Sequence, residues 1–336
     1  MEQVSHIASR LVNYKNVVGF SNYPAKRIKN GQKIDEEVIR IYVSKKQGPE
    51  ELYDEWILPR EVEGFPIDVV EIGEVRALAN PIPKDGRREV VRPLVSGISV
   101  GNIAITAGTL GVPAKKSGEL FGCSNAHVLT PDPSNQYVSE QRIVQPGKYD
   151  DPNCAAHIIG RYHWHERIYP ESQPSECPVS KTTIWLLNKV SSALGRRSRF
   201  RTYVYGENYQ DFAVFKLANG IYYDTTRTFD FDISDYELVA RLFAGSNMYT
   251  IMCKLKYQLA SGYQPVVRYS TKPFVEGEEL RKSGRTTGDT TGTVFDVSAS
   301  MRINYGSFNA VIKDVVVATD MSAGGDSGSD IWRKIV

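Results

Sequence analysis

Three short stretches of the 336-residue chain carry residue types that together could perform nucleophilic chemistry: CSNAHVL (Cys123–Leu129), QDFAVFKL (Gln210–Leu217) and AGGDSGSDIW (Ala323–Trp332). Acyl transfer by serine needs an alcohol made nucleophilic, a base within hydrogen-bond reach and an anion that fixes the tautomer of that base. Ser327 lies in Gly-Gly-Asp-Ser-Gly. The glycines there permit a tight turn that aims the N–H groups of Gly325 and Ser327 at a developing oxyanion. His127 follows the small Ala126 in a segment that ends apolar, so packing can hold its ring. Asp211 opens an alternating strand, and a carboxylate buried there needs a partner, which a histidine Nδ1–H supplies. Taken singly, each motif is modest, because a lone histidine is most often a packed core residue and GDSG recurs in Gly- and Ser-rich loops. Their order and their contexts raise them together.

The elements that must position these residues are mostly strands. From Val95 onward, short β-branched runs are punctuated by glycine: SGISVGNIAITAGTLGV, DFAVFKL, TTGTVFDVSASMRINYG and NAVIKDVVVAT. Such spacing predicts a β-barrel or sandwich rather than alternating βα units. A single helix is predicted at about 179–194, ending at Gly195 before the basic run RRSRFR, which reads as a solvated helix exit. Residues 1–78 form a separate small α+β module. A helical stripe (Val4, Ile7, Leu11, Tyr14) precedes strands in VIRIYVSKK and FPIDVVEI, and no catalytic constellation accompanies them. Residues 79–94, rich in Pro and charge, make a linker. The expected division continues with a first β-barrel over 95–217, carrying the helical insert, and a second over 218–336.

The set NAHVL, DFAVFKL and GDSGS, in the order His, Asp, Ser, resembles the trypsin-like serine peptidases of the chymotrypsin fold. More closely, it is similar to a bacterial and archaeal branch, related to the plant narrow-leaf regulator, in which a small α+β module precedes the peptidase. The matching stretches include VIRIYVSKK, LPREVEGFPIDVVEIGEV, RPLVSGISVGN, IVQPGKYDD and KSGRTTGDTTGTVFDVSASMRINYG, and together they touch most of the chain. The resemblance implies a mainly β, double β-barrel fold behind the α+β module. It implies a serine endopeptidase with His127 as general base, Asp211 as its orienter, Ser327 as nucleophile, and Gly325 with Ser327 as oxyanion donors. It implies no cofactor. KSGRTTG lacks the GxxxxGK[ST] pattern and a following helix, so it reads as a strand-turn of the second barrel rather than a phosphate loop.

Two departures bear on function. In the usual fold much of the second barrel follows the serine, yet here the sequence stops at Val336. The segment 236–258, YELVARLFAGSNMYTIMCKLKYQ, holds two apolar runs around a Gly-Ser turn, and its LFAGS resembles what normally follows the serine. Two readings stay open: a permuted second barrel in which residues 236–262 supply the missing strands, or an ordinary insertion. The second departure concerns specificity. Where the fold places the floor of the substrate pocket, this chain has Met321 with Asp320 beside it, an apolar floor favouring uncharged side chains or an acidic one favouring Lys and Arg.

Composition narrows the classes further. Forty-one basic side chains against 39 acidic leave a net charge of +2, without the basic excess of a nucleic-acid-binding chain. Leu94 to Ala114, within the longest uncharged run, is broken by Ser, Gly, Asn and Thr, and no membrane span is expected. MEQVSHIASRLVNYKN lacks a secretory leader, and the 4 cysteines form no CxxC pair, so a reduced, cytoplasmic protein is expected. Cys154, His163, His165 and Cys177 could be imagined around zinc, but their irregular spacing argues against a metal site, and a Cys154–Cys177 bridge is an equal alternative. The expected partner is a peptide or protein substrate. Self-association is a further expectation, since the N-terminal module carries no chemistry yet presents strand edges. A second reading, from another class, is a catalytically weak protease-like scaffold that binds peptides or protein partners.

Overall fold

The β-branched runs become strands, and the protein is mainly β. The computed structural model describes residues 4–29, 32–51, 56–76, 86–171, 177–196, 200 and 206–335. Linker residues 77–85 and positions 197–199 and 201 of the basic run lie outside these described residues.

The N-terminal stripe forms the short helix α1 (Ser5–Ala8) and a 3-10 turn, which press Val4, Ile7 and Leu11 onto a small sheet. That sheet comprises β1 (Val17–Ser21), β2 (Ala25–Lys29), β3 (Gln32–Val43), β4 (Glu61–Val62) and β5 (Phe65–Glu71). β3 pairs antiparallel with β1 and parallel with β5, and Phe20, Ile39, Ile41 and Ile67 fill the space beneath the helix. These apolar side chains alternate along the strands, as one buried face requires.

After β6 (Leu94–Ser96) comes the first barrel. Its strands are β7 (Ser99–Asn102), β8 (Gly108–Thr109), β9 (Gly111–Lys116), β10 (Glu119–Ser124), β11 (Arg142–Val144), β12 (Ile158–His165) and β13 (Ala213–Leu217). They run in the order β9-β10-β13-β12-β11-β7-β8. Only Leu110 separates β8 from β9, so one bent stretch of chain pairs with both ends of the sheet and curls it round. A single helical turn, α2 (Ala126–Leu129), follows β10. The long insert between β12 and β13 holds α3 (Pro178–Ala193). In this helix Ser191 is buried and Ser180, Ile184 and Asn188 are partly covered, whereas Val179, Trp185, Leu186 and Val190 are exposed, as is Leu194 just past its end. No helix among the described residues is long and apolar enough to cross a membrane.

The second barrel contains β15 (Tyr236–Gly245), β16 (Tyr249–Lys254), β18 (Glu279–Gly284), β19 (Gly288–Asn304), β20 (Asn309–Thr319) and β21 (Asp330–Lys334). β14 (Tyr223–Thr228), just before it, pairs with β6, and β17 (Gln264–Pro265) reaches back to β9. The ring runs β18-β21-β15-β16-β20-β19 and closes where β19 pairs with β18. Segment 236–258 is therefore integral to the barrel. β16 pairs with β20, which leads toward Ser327, and β15 pairs with β21, which follows it. Strands that come first in sequence close a barrel whose other strands come later, so the second barrel is permuted.

β19 is long enough to serve two sheets. Its first half belongs to the barrel, and farther on Gly19 of β1 pairs with Met301, which joins the N-terminal sheet to the barrel edge-on. A polar tie stands nearby. Asp314 on β20 accepts hydrogen bonds from Ser298 of β19 (2.6 Å), from Tyr257 in α4 (Leu255–Ala260; 2.7 Å) and from Lys254 of β16, and pairs with Lys256 at 2.6 Å. Burial alone would raise its pKa, but these donors outweigh burial and hold it at about 2, below the ordinary 3.8. A depressed carboxylate pKa contributes stability that is complete above the ordinary value and lost as pH falls through the folded one. The urea midpoint should therefore drop between pH 3.8 and about 2, and Asp314→Asn should flatten that part of the profile while lowering stability at neutral pH.

Candidate active site

β10 carries the chain to Asn125, whose extended backbone (φ −76°, ψ 156°) breaks the strand and starts α2. Ala126, Val128 and Leu129 are buried in the main core and fix this single turn, and His127, with Val128 beside it, lines the cleft. Asp211 enters from the turn before β13, anchored by the buried Phe212 and Ala213. The Asn125 side-chain amide donates to the Asp211 backbone carbonyl at 2.6 Å, clamping the two segments together.

The Asp211 side chain is fully buried, and both of its oxygens are engaged. Oδ1 accepts the backbone N–H of Ala126 (2.6 Å) and of His127 (3.3 Å), while Oδ2 lies 2.6 Å from His127 Nδ1. An ionised carboxylate can only accept, so Nδ1 carries a proton and Nε2 is left with its lone pair. Nε2 has no hydrogen-bond partner among the described residues. It belongs to a ring that lines an open cleft of about 290 Å³, together with Ser327, Tyr305, Ser307, Thr106 and Ala107. The Tyr305 ring meets the imidazole edge-on at 5.9 Å between centroids. Burial, and then the charge of Asp211, raise the Tyr305 pKa and keep its phenol protonated.

Ser327 sits on the loop between β20 and β21. The turn is closed by Asp326 N–H to Ala323 O (3.0 Å) and Ser329 N–H to Asp326 O (2.9 Å). Gly325 and Gly328 adopt φ of +96° and +99°, and a Cβ on them would strike Arg285 and Ser124 respectively, so both positions require glycine. The loop is docked onto the first barrel by Thr109, whose N–H donates to Ser327 O (2.8 Å) and whose Oγ1 donates to Gly325 O (2.9 Å). The N–H groups of Gly325 and Ser327 have no partner among the described residues. Ser327 Oγ donates to the Phe243 carbonyl at 3.2 Å, so serine and histidine face one cleft without being bonded to each other.

A fully buried ion pair holds this loop from beneath. Asp326 Oδ2 lies 3.3 Å from Lys282 Nζ, and the same carboxylate accepts Thr286 N–H (2.7 Å), Thr287 N–H (3.2 Å), Thr287 Oγ1 (2.6 Å) and Ala323 N–H (3.0 Å). Burial pulls the Lys282 pKa below that of ordinary lysine, and Asp326 opposes it. The run KSGRTTG thus wraps the carboxylate preceding Ser327, a role its sequence did not reveal. Its Arg285 is also buried and forms a two-point pair with Asp150 at 2.6 Å on both arms.

The remaining expected site residues fall elsewhere. Met321 is buried in the second barrel among Leu280, Val294, Val316 and Ile331, and Asp320 is exposed, accepting the Ser322 N–H at 3.2 Å. Neither lines the cleft of His127 and Ser327. Cys154 is buried and Cys177 exposed, and no disulfide joins them. His165 is fully buried between Tyr162 Oη (2.6 Å) and the Pro133 carbonyl (3.2 Å), and His163 stacks on Phe121 at 4.8 Å. Among the described residues no three His, Cys, Asp or Glu side chains converge as a metal-binding group.

A barrel bearing His and Asp facing a second barrel bearing Ser, across one cleft, is the chymotrypsin-like double β-barrel, here with its second barrel permuted. No protein-family model and no curated protein matches the chain. Similar solved structures include a glutamic-acid-specific serine protease described as using a histidine triad in substrate binding. It is 13% identical, with a TM-score of 0.35 over 72% of this chain and 93% of that one. Another is a Nocardiopsis protease, 14% identical, with a TM-score of 0.32 over 71% of this chain and 91% of that one.

Removing one member of a buried ion pair strands the other charge, at a cost of about 3–5 kcal/mol. Lys282→Met should therefore lower unfolding free energy by roughly that amount in urea titration, and adding Asp326→Asn should recover part of it. An unchanged midpoint in the single variant would show that the ammonium is not the effective counter-ion.

Proposed function

We infer that the chain is a serine endopeptidase. The observation that carries this reading is the Asp211–His127 pair, whose Nε2 is left without a partner among the described residues, on a ring that lines the same cleft as Ser327. For the reaction Ser327 Oγ must leave the Phe243 carbonyl for Nε2, and catalytic hydrogen bonds often form only when substrate is bound. His127 then removes the hydroxyl proton as Oγ attacks the peptide carbonyl. The oxyanion is received by the N–H groups of Gly325 and Ser327, and Asp211 stabilises the imidazolium. His127 passes the proton to the leaving amine, and a water activated by the same nitrogen hydrolyses the acyl-enzyme, restoring Ser327. The chemistry draws on this chain's own side chains and needs no cofactor.

The same reading covers the finer expectations: membership of the bacterial and archaeal branch related to the plant narrow-leaf regulator, supported by the sequence stretches quoted above, and a cytoplasmic protein acting on peptides or proteins. It assigns no nucleic-acid or membrane partner, and it includes self-association through the N-terminal module. The pocket roles expected of Met321 and Asp320 receive no support from their positions.

One observation favours the second reading, a scaffold that binds peptides without useful turnover: the serine hydroxyl is bonded to Phe243 rather than to His127. Labelling with a fluorophosphonate separates the two. Wild type should be labelled, and Ser327→Ala and His127→Ala should lose labelling by at least about a thousandfold. A folded wild-type protein that takes up no probe would put the scaffold reading ahead.

A further inference from the structure

β15 changes its neighbours along its length, and the change occurs beside Ser327. From Tyr236 to Arg241 one edge is covered by β21, and the contact ends where Leu242 exchanges hydrogen bonds with Ser329 and Gly328 (2.9 Å each). The other edge continues to pair with β16 as far as Gly245. Residues 243–245 therefore present one edge that β21 no longer covers. Ser327 Oγ uses the first carbonyl of that edge, on Phe243. The last residue, Gly245, is taken by the chain itself: Arg76 N–H donates to Gly245 O (3.1 Å), and Gly245 N–H donates to Arg76 O (3.2 Å).

This contact is antiparallel, as an added strand on that edge would be. The approach is firmly built. Ile72 N–H donates to Val43 O (2.9 Å), Gly73 turns the chain at φ +77°, and Ile72 and Val75 are buried in the same core as Phe243 and Ala244. Val75 O accepts the Asn304 N–H (3.2 Å), and Glu74 accepts from the Asn304 side chain (3.2 Å), tying the segment to the end of β19 next to Tyr305. The side chains of Glu74 and Arg76 pair with each other and are half exposed, so the hold on β15 is made by backbone alone.

An open strand edge binds extended peptide by main-chain hydrogen bonds. Resting on the endopeptidase reading, we propose that Glu74–Arg76 is an in-built competitor for the substrate strand, so that the enzyme is held self-blocked and turns over only extended peptides able to displace Arg76 from Gly245. A reagent small enough to reach Ser327 without lying along β15 escapes the block.

The test compares Arg76→Pro, which removes the N–H donated to Gly245, with Arg76→Ala, which keeps it and removes only the exposed side-chain pair. Losing a backbone hydrogen bond of ordinary net strength should raise kcat/KM on unfolded casein roughly tenfold in the proline variant and leave the alanine variant like wild type. Fluorophosphonate labelling rates should be the same in all three. Equal casein turnover in proline and wild-type proteins that label equally overturns the self-block. A wild type that does not label at all overturns the peptidase reading instead. Hydrogen exchange on unaltered wild type gives a second readout. The Arg76 amide should lose protection when Ser327 carries a long peptidyl phosphonate and keep it when Ser327 carries a small fluorophosphonate. Protection retained in both adducts sinks the proposal.

Discussion

The arrangement around Ser327 depends on the burial of charge. Asp150, Asp211, Asp326 and Asp330 are all buried, and a carboxylate removed from water needs donors or a counter-charge beside it. Each finds a different answer. Asp211 takes two backbone amides and an imidazole, Asp326 takes an ammonium and a nest of amides and hydroxyls, and Asp150 takes a two-point arginine. Asp330 takes the Val112 amide and the Ser96 hydroxyl (2.6 Å each) and lies 3.1 Å from Arg241. These partners come from both barrels, so the loop carrying the serine cannot be satisfied until the barrels have docked. Local geometry and domain packing are one problem here, and partly met networks of this kind are costlier than none.

The residues of the candidate site were legible where their signal was local. His127, Asp211 and Ser327 each sit in a short motif whose glycines, apolar anchors or strand start announce the backbone they need, and the structure brings the first two into direct contact. The permuted closure was half legible. LFAGS pointed to strands in the wrong place along the chain, but two apolar runs around a turn do not name their partners, and only pairing with β20 and β21 decides between barrel and insertion. The Lys282–Asp326 pair was not legible, because nothing in KSGRTTG or GGDSG states that the two meet. Met321 shows the sharpest limit. Side chains on extended backbone alternate between faces, so counting back from the serine finds the residue without finding the face it uses. Arg76 was invisible for a related reason, since a backbone contact leaves no mark on side-chain identity.

The N-terminal module illustrates how a unit that is distinct in composition can be continuous in structure. It has its own core of Val4, Leu11, Ile39 and Ile41, yet its β1 is a further strand on β19 of the second barrel. The segment that leaves β5 carries Ile72 and Val75 into the core shared by the barrels. A module joined in both ways holds Glu74–Arg76 against β15.

The permuted order of strands also bears on how the protein emerges from the ribosome. β15 and β16 are made early as a hairpin, but the partners that complete their ring, β20 and β21, follow only after residues 309 and 330. Until then a long apolar strand, LVARLFAG, waits with an uncovered edge, and such edges are where nascent chains pair wrongly. Closure therefore waits for strands synthesised well after this hairpin, and non-local pairing of this kind slows folding. The protein is one for which chaperone supply and expression temperature should govern the yield of folded material more than the intrinsic strength of its core.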